Sequence, residues 1–192
     1  FLKSQYHPHF LFNALNTVYF QIDESNKAPR RTLEMISELL RYQLYGGNQK
    51  VSILQEIDYL KTYIALRKLR MSERLRLRVE FPPELNELNI YPLLFLPLVE
   101  NAFKYVGGDY QLDIIMKWEN NRISLFIRNS IPELSAEDEA LRKSVDERQR
   151  KGIGLVNLRR RLSLLYPNKH RLETRKEETE FVAELMIEIE EI

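Results

Sequence analysis

The chain has no cysteine among its 192 residues. Disulfides, thiolate zinc centres and cysteine nucleophiles are therefore excluded. Histidine is scarce, with three copies, His7, His9 and His170. A His7-x-His9 metal pair lacks further nitrogen or sulfur donors nearby, which disfavours zinc, an ion that takes about four ligands. Charge of one sign is missing as well: 29 Lys and Arg stand against 28 Asp and Glu, a net +1. That near-balance argues against wholesale nucleic-acid binding, although it leaves room for a local basic patch. No apolar run approaches the roughly eighteen residues of a membrane helix, and no signal-peptide pattern is present. Repeats and low-complexity stretches are absent. The chain opens on Phe1 and not on Met, which is expected of a piece of a longer protein with room upstream for a sensor or membrane part.

What is present reads as helices followed by a mixed segment. From Pro8 to about Asp23 the apolar residues Leu11, Leu15, Val18 and Ile22 recur at helical spacing and predict one buried stripe. "DESNKAP" reads as a turn, and "RRTLEMISELLRYQLY" as a second helix with Leu33, Ile36, Leu40 and Leu44 on one side, stopped by Gly46 and Gly47. Ser52 and Gln55 form a capping-box pattern ahead of a third helix, whose stripe is Ile53, Ile57, Leu60 and Ile64. Three helices with apolar seams make a natural dimerising or bundle element. Beyond Ser72, "RLRLRVEF" alternates with the period of a half-buried strand. "PLLFLPLVENAFKYV" is too long and leucine-rich for a strand and predicts a buried helix from about Pro92, with Pro97 as an irregularity inside it. "QLDIIMKW" and "RISLFIRN" flank "ENN" as a hairpin. Residues 131–150 are charged, lack aromatics and read as a mobile loop. "GIGLVNLRRRLSLLY" predicts a helix with Leu155, Leu158, Leu162 and Leu165 inward, and two strands close the chain at about 170–176 and 180–190. The pattern predicts an α+β fold, an antiparallel-looking sheet with helices on one face.

Three segments carry candidate chemistry. Gly152 and Gly154 precede a helix, where backbone amides attract phosphate and glycine permits close approach; taken alone, a flexible hinge leading into the helix is the favoured explanation. In "VENAFKYVGG", Glu100, Asn101 and Lys104 fall within one helical turn. A neutral Asn carbonyl can join magnesium beside substrate phosphates, and a lysine on the same face can balance phosphate charge. A solvated helix end is the plain alternative. "QYHPHFLFNALNTV" places His9, Asn13 and Asn16 on one helical stripe, apart from Leu11, Leu15 and Val18. A reactive ring there can face solvent or a partner while its helix stays packed. Asn13, four residues on, can hold the imidazole or a water. The arginines of "RKLRMSERLRLR" and the triplet Arg159, Arg160 and Arg161 read better as solvated faces than as a nucleic-acid surface, because no aromatics interleave with them.

Taken together, these segments resemble a known family. "PLLFLPLVENAFKY" looks like the N box of histidine-kinase ATP-binding domains and "KGIGLVNLRRRL" like their glycine box. "QYHPHFLFNALN" resembles the phosphoacceptor motif of the LytS-like class of sensor histidine kinases, and the order and spacing match from Gln5 to the last strand. The resemblance implies a helical dimerisation and phosphotransfer segment over 1–73. An α/β-sandwich, GHKL-type ATP-binding domain would then occupy 74–192, with a mobile ATP lid at 131–151. It implies His9 as the phosphorylated nucleophile, assisted by Asn13 and Glu100. Asn101 would be the magnesium ligand, and Lys104, Tyr105, Asn129, Gly152, Gly154 and Leu155 would line the site for ATP. A neutral imidazole, with an unperturbed pKa of about 6.5, offers a nitrogen lone pair to the γ-phosphorus, and the phosphoramidate so formed is energetic enough to pass its phosphoryl group to an aspartate. The implied partners are a response regulator receiver domain and a second copy of the chain. The implied location is the cytoplasmic side of a protein anchored in the membrane by upstream sequence.

This sequence departs from the family pattern at four points. Asn129 stands where many relatives carry aspartate, Arg150 where they carry glycine, Tyr105 and Val106 where they carry His-Gly, and His7 where they carry asparagine. The departures motivate a second reading, a non-catalytic signalling scaffold with a degenerate nucleotide site. A serine-directed kinase of the same ATPase superfamily is a third, and the His9 motif argues against it.

Overall fold

The computed structural model describes residues 8–45, 49–83, 85, 88–133 and 153–189. Helix α1 spans Pro8–Gln21 and α2 spans Lys27–Tyr45. Both start as proline allows, since Pro8 and Pro29 sit in first turns, where no intrahelical N–H is needed. The turn before α2 is thus shorter than "DESNKAP".

The expected buried stripe of α1 is not buried. No residue of α1 is buried, and Phe10, Val18 and Phe20 are 74%, 47% and 78% exposed. The reason is geometric. Among the described elements helix α1 rests mainly along α2, through a Phe12–Tyr45 ring stack at 6.2 Å and a Tyr19 hydroxyl donating to Glu34 at 3.0 Å. One neighbour covers only part of a stripe. The face of α2 also differs from expectation. Met35 and Leu39 are its buried residues, while Leu33, Ile36, Leu40 and Leu44 are half-buried. Helix α2 lies between α1 and a third helix, so its apolar residues are shared between two sides.

That third helix, α3 (Ile53–Lys68), has the expected cap: the Ser52 hydroxyl accepts from the Leu54 amide and the Gln55 side chain from the Ser52 amide. Its expected stripe of Ile53, Ile57, Leu60 and Ile64 is buried. Those residues join the main core against the sheet rather than a separate bundle.

The sheet has five strands in the order β2 (Arg76–Glu80), β4 (Gln111–Glu119), β5 (Arg122–Ser130), β7 (Glu180–Glu188), β6 (His170–Lys176). The β4–β5, β5–β7 and β6–β7 pairs are antiparallel, whereas β2 runs parallel to β4, so the sheet is mixed. The β4–β5 hairpin closes on Asn120 and Asn121, both with positive φ, the conformation a two-residue hairpin turn demands and asparagine tolerates. A short pair, β1 (Val51–Ser52) with β3 (Asn89–Ile90), ties the start of α3 beside the sheet. Helices α3, α4 (Leu96–Tyr105) and α5 (Ile153–Leu165) cover one face over Ile114, Leu125, Ile127 and Leu185. The opposite face carries charges, including an Arg128–Asp113 pair at 2.7 Å and Arg78–Glu80 at 2.7 Å.

Helix α4 starts at Leu96 and not near Pro92. Leu93 takes a left-handed φ of 58°, which breaks any helix there, and Pro97 lies in the first helical turn instead of interrupting an interior. The freed amides of this turn meet a buried carboxylate, Glu56, which is 0% exposed. Burial raises its pKa above the ordinary value, against the opposing pull of hydrogen bonds from Tyr42 and the turn's amides. A carboxyl whose folded-state pKa is raised contributes stability below its unfolded pKa, and loses it as pH rises through the folded value. Glu56→Gln is therefore expected to remove one falling limb from the stability profile. Urea midpoints of both proteins between acid and neutral pH check this; parallel curves count against it.

Candidate functional site

The residues singled out on α4 do not all share one surface. Glu100 lies toward α3, near Tyr59, Tyr63 and Arg67. Much of its side chain meets solvent, yet desolvation of the carboxyl raises its pKa, with Arg67 pulling the other way. Asn101 is half-buried, and Lys104 is exposed with its ammonium 4.9 Å from the Tyr105 ring centre. A lysine held there faces solvent, within reach of an anion.

Asn129 sits on the helix-covered side of β5, 0% exposed. Its Nδ2 donates to the Ser130 carbonyl at 3.2 Å, and its Oδ1 has no partner among the described residues. An unpaired buried carbonyl oxygen is costly, about 1–3 kcal/mol, so a donor brought to it would be stabilising. The neighbouring Ser130 fastens α4 to this spot. Its hydroxyl donates to the Gly107 carbonyl at 2.6 Å and accepts from the Gln111 amide at 2.9 Å, while the Gly107 amide donates to the Ser130 carbonyl at 3.0 Å. The end of the N-box helix and the end of β5 are thus held together, with Asn101 and Asn129 on the two joined elements.

Two glycines make that junction possible. A Cβ on Gly107 would lie 2.9 Å from Pro132 Cδ, and one on Gly108, at φ +61°, 3.0 Å from the Ile131 carbonyl oxygen. These residues and Ser130 carry the site's architecture and were missed as such in the sequence, where "VGG" reads only as the end of a helix.

At the start of α5, Gly154 is exposed, with none of the described residues within 4 Å of where a Cβ would lie, and Leu155 is half-buried. Helix α5 packs on α4, with Leu158 and Leu162 buried as expected and Leu165 packed against the same core. Gly152, Arg150, His7 and the expected lid from residue 134 onward lie outside the described residues. The arginine triplet is not a uniform solvated face. Arg159 donates to the Leu172 carbonyl at 2.9 Å and Arg161 to the Pro92 carbonyl at 2.7 Å, and Arg160 is exposed.

His9 stands apart from this cluster, on the first turn of α1, and is exposed. Its Nδ1 lies 3.1 Å from Nδ2 of Asn13, one helical turn on, so the i, i+4 pairing seen in the sequence exists. The Thr17 hydroxyl donates to the Asn13 carbonyl at 2.9 Å.

Comparison with known proteins fits this geometry. Residues 1–75 match the histidine kinase family model. Over 176 residues, 89% of the chain, it is 28% identical to sensor protein kinase HptS of Staphylococcus aureus. The chain is thus similar to a sensor protein kinase along most of its length, and to the histidine kinase family over its first 75 residues. It spans about a third (34%) of the length of HptS. Among solved structures, full-length ShkA, crystallised in complex with AMPPNP, superposes with a TM-score of 0.50 at 14% identity over 95% of this chain and 44% of that one. The catalytic domain of histidine kinase ThkA gives 0.47 at 17% identity over 72% and 93%. The likeness to ShkA is one of fold, and it covers the helices and the mixed sheet alike.

Proposed function

We propose that the chain is the catalytic portion of a two-component sensor kinase that phosphorylates His9 from Mg-ATP and passes the group to an aspartate of a response regulator. The observation that carries the proposal is the buried, unpartnered Oδ1 of Asn129 beside the N-box helix. An adenine amino group is a donor of the right kind for it, and an amide oxygen accepts as a carboxylate does, without the charge. Asn101 would hold the magnesium ion, which when bound offsets the charge of the triphosphate. Lys104 binds the phosphates from the solvent side of α4. Tyr105, Gly154 and Leu155 border the nucleotide, with Gly152 closing the glycine box.

His9 supplies the nucleophile. When Asn13 turns its amide oxygen to accept from Nδ1–H, the lone pair falls on Nε2. That nitrogen bonds to the γ-phosphorus as the bond to the β-phosphate oxygen breaks and ADP leaves. The Nε2-bound phosphoryl group is then exposed on α1 for the receiver domain. Two copies would pair through the uncovered flank of α1, and upstream sequence would anchor the whole at the cytoplasmic face of a membrane; no helix among the described residues is itself long and apolar enough to cross one.

Incubation with γ-labelled ATP tests the reading: acid-labile, base-stable label on the chain supports it. Absent label together with no nucleotide binding at millimolar ATP would leave the scaffold reading instead. Asn101→Ala is expected to lower the labelling rate on the order of 10²-fold. It should also erase most of the magnesium dependence of nucleotide binding by calorimetry; an unchanged magnesium dependence would remove Asn101 from the site.

A further inference from the structure

Glu56 takes no part in the chemistry above, yet two other parts of the chain converge on it. From α2, the Tyr42 hydroxyl donates to its Oε2 at 2.7 Å. From the turn leading into α4, the Leu93 amide donates to the same oxygen at 2.9 Å. The Leu94 and Phe95 amides also act on this carboxyl, though Oε1 closes no hydrogen bond. The turn itself is in the left-handed conformation at Leu93, which leucine rarely adopts unless its surroundings hold it. Arg161, on α5, braces the turn by donating to the Pro92 and Leu93 carbonyls at 2.7 and 3.4 Å.

The rest of the α2 contact surface is small. Tyr42 stacks on Tyr59 with ring centres 4.7 Å apart, and the Gln43 amide donates to the Tyr59 hydroxyl at 2.6 Å. Leu39, Tyr59 and Leu96 form a minor apolar cluster, distinct from the main core under the sheet. A fully buried carboxylate at this seam is a poor choice for adhesion alone, because apolar residues of similar volume do as well without desolvating a charge. What it supplies is direction: acceptors that fit one arrangement of a phenol and a run of amides, and no other.

We propose that Glu56 is a positioning residue for phosphoryl transfer, a clasp that joins α2 to the turn opening α4. It thereby sets the helical pair bearing His9 against the helix bearing Asn101. The consequence for transfer rests on the kinase reading; the clasp does not.

The absence of cysteine permits a direct test. Spin labels are attached at Glu38→Cys on α2 and Arg160→Cys on α5, both exposed positions, and the distance distribution is measured in the parent, in Tyr42→Phe and in Glu56→Gln. Tyr42→Phe deletes a single hydroxyl and serves if Glu56→Gln fails to fold. The expected result is one narrow distance in the parent that broadens in the variants. At saturating ATP the His9 labelling rate should fall about tenfold, as misplacement of reacting groups produces, while the dissociation constant for ATP stays within about twofold. An unmoved distribution overturns the proposal, as does a broadened one with an unchanged rate. Loss of nucleotide binding in Tyr42→Phe also overturns it, since that is the mark of a merely structural role. A parent chain that takes no label on His9 counts against the kinase reading, and the distance distributions then decide the clasp by themselves.

Discussion

His9→Gln is expected to abolish acid-labile, base-stable label, a loss on the order of 10³-fold or more, while leaving the fold as it was. The two halves of that result have separate causes. Glutamine keeps a polar group of similar reach but has no nitrogen lone pair able to attack phosphorus, so nothing replaces the nucleophile. The ring is exposed, and among the described residues its hydrogen-bond partner is Asn13 on the same helix. Surface substitutions of this kind shift stability by about 0.5 kcal/mol or less. Label measured after acid and alkali treatment, beside thermal unfolding of both proteins, checks the pair of outcomes. Persistent label in His9→Gln would move the phosphoacceptor elsewhere.

Asn129→Ala should have the second largest effect, and again affinity and stability are expected to part company. In the ligand-free chain the substitution removes one hydrogen bond, to the Ser130 carbonyl. It also removes the unpartnered Oδ1 and its penalty. These offset, and a small cavity remains, so stability should fall by no more than about 2 kcal/mol. Nucleotide is a different matter. An acceptor that meets a base donor in a dry site discriminates strongly against bases lacking that donor. ATP affinity is expected to fall about tenfold or more, and preference for ATP over GTP to shrink with it. Calorimetric titration with both nucleotides measures this. Equal loss of stability and affinity, with the ATP preference intact, would mean that the oxygen faces something other than a base.

Much of this architecture can be read from local pattern. The capping box at Ser52, the stripe of α3, the alternation in β2 and the Asn120–Asn121 hairpin each depend on neighbours in sequence, and all stand where the pattern puts them. The His9–Asn13 pair is likewise a matter of helical spacing. Features set by distant partners are not legible in that way. The start of α4 is hidden in an unbroken apolar run, because the turn at Leu93 is held by Glu56 and Arg161 from other elements. The face that α2 buries depends on being placed between two helices, and the exposure of the α1 stripe on having one. The parallel β2–β4 pair follows from α4 crossing between them, which no alternation pattern encodes. In the candidate site, Asn101 and Asn129 were visible as residue types in motifs. The Ser130–Gly107 fastening that brings their two elements together was not.

The sheet ends on strands whose side chains are mostly ionic: Arg76, Arg78 and Glu80 at one rim, Arg171, Glu173, Arg175 and Lys176 at the other. Were two molecules to meet rim to rim, these charged side chains would have to give up water along the new ladder, an arrangement that resists continuous cross-molecule pairing. Charged rims of this kind keep the ends of the sheet from acting as templates for fibre-like stacking, even in a crowded solution.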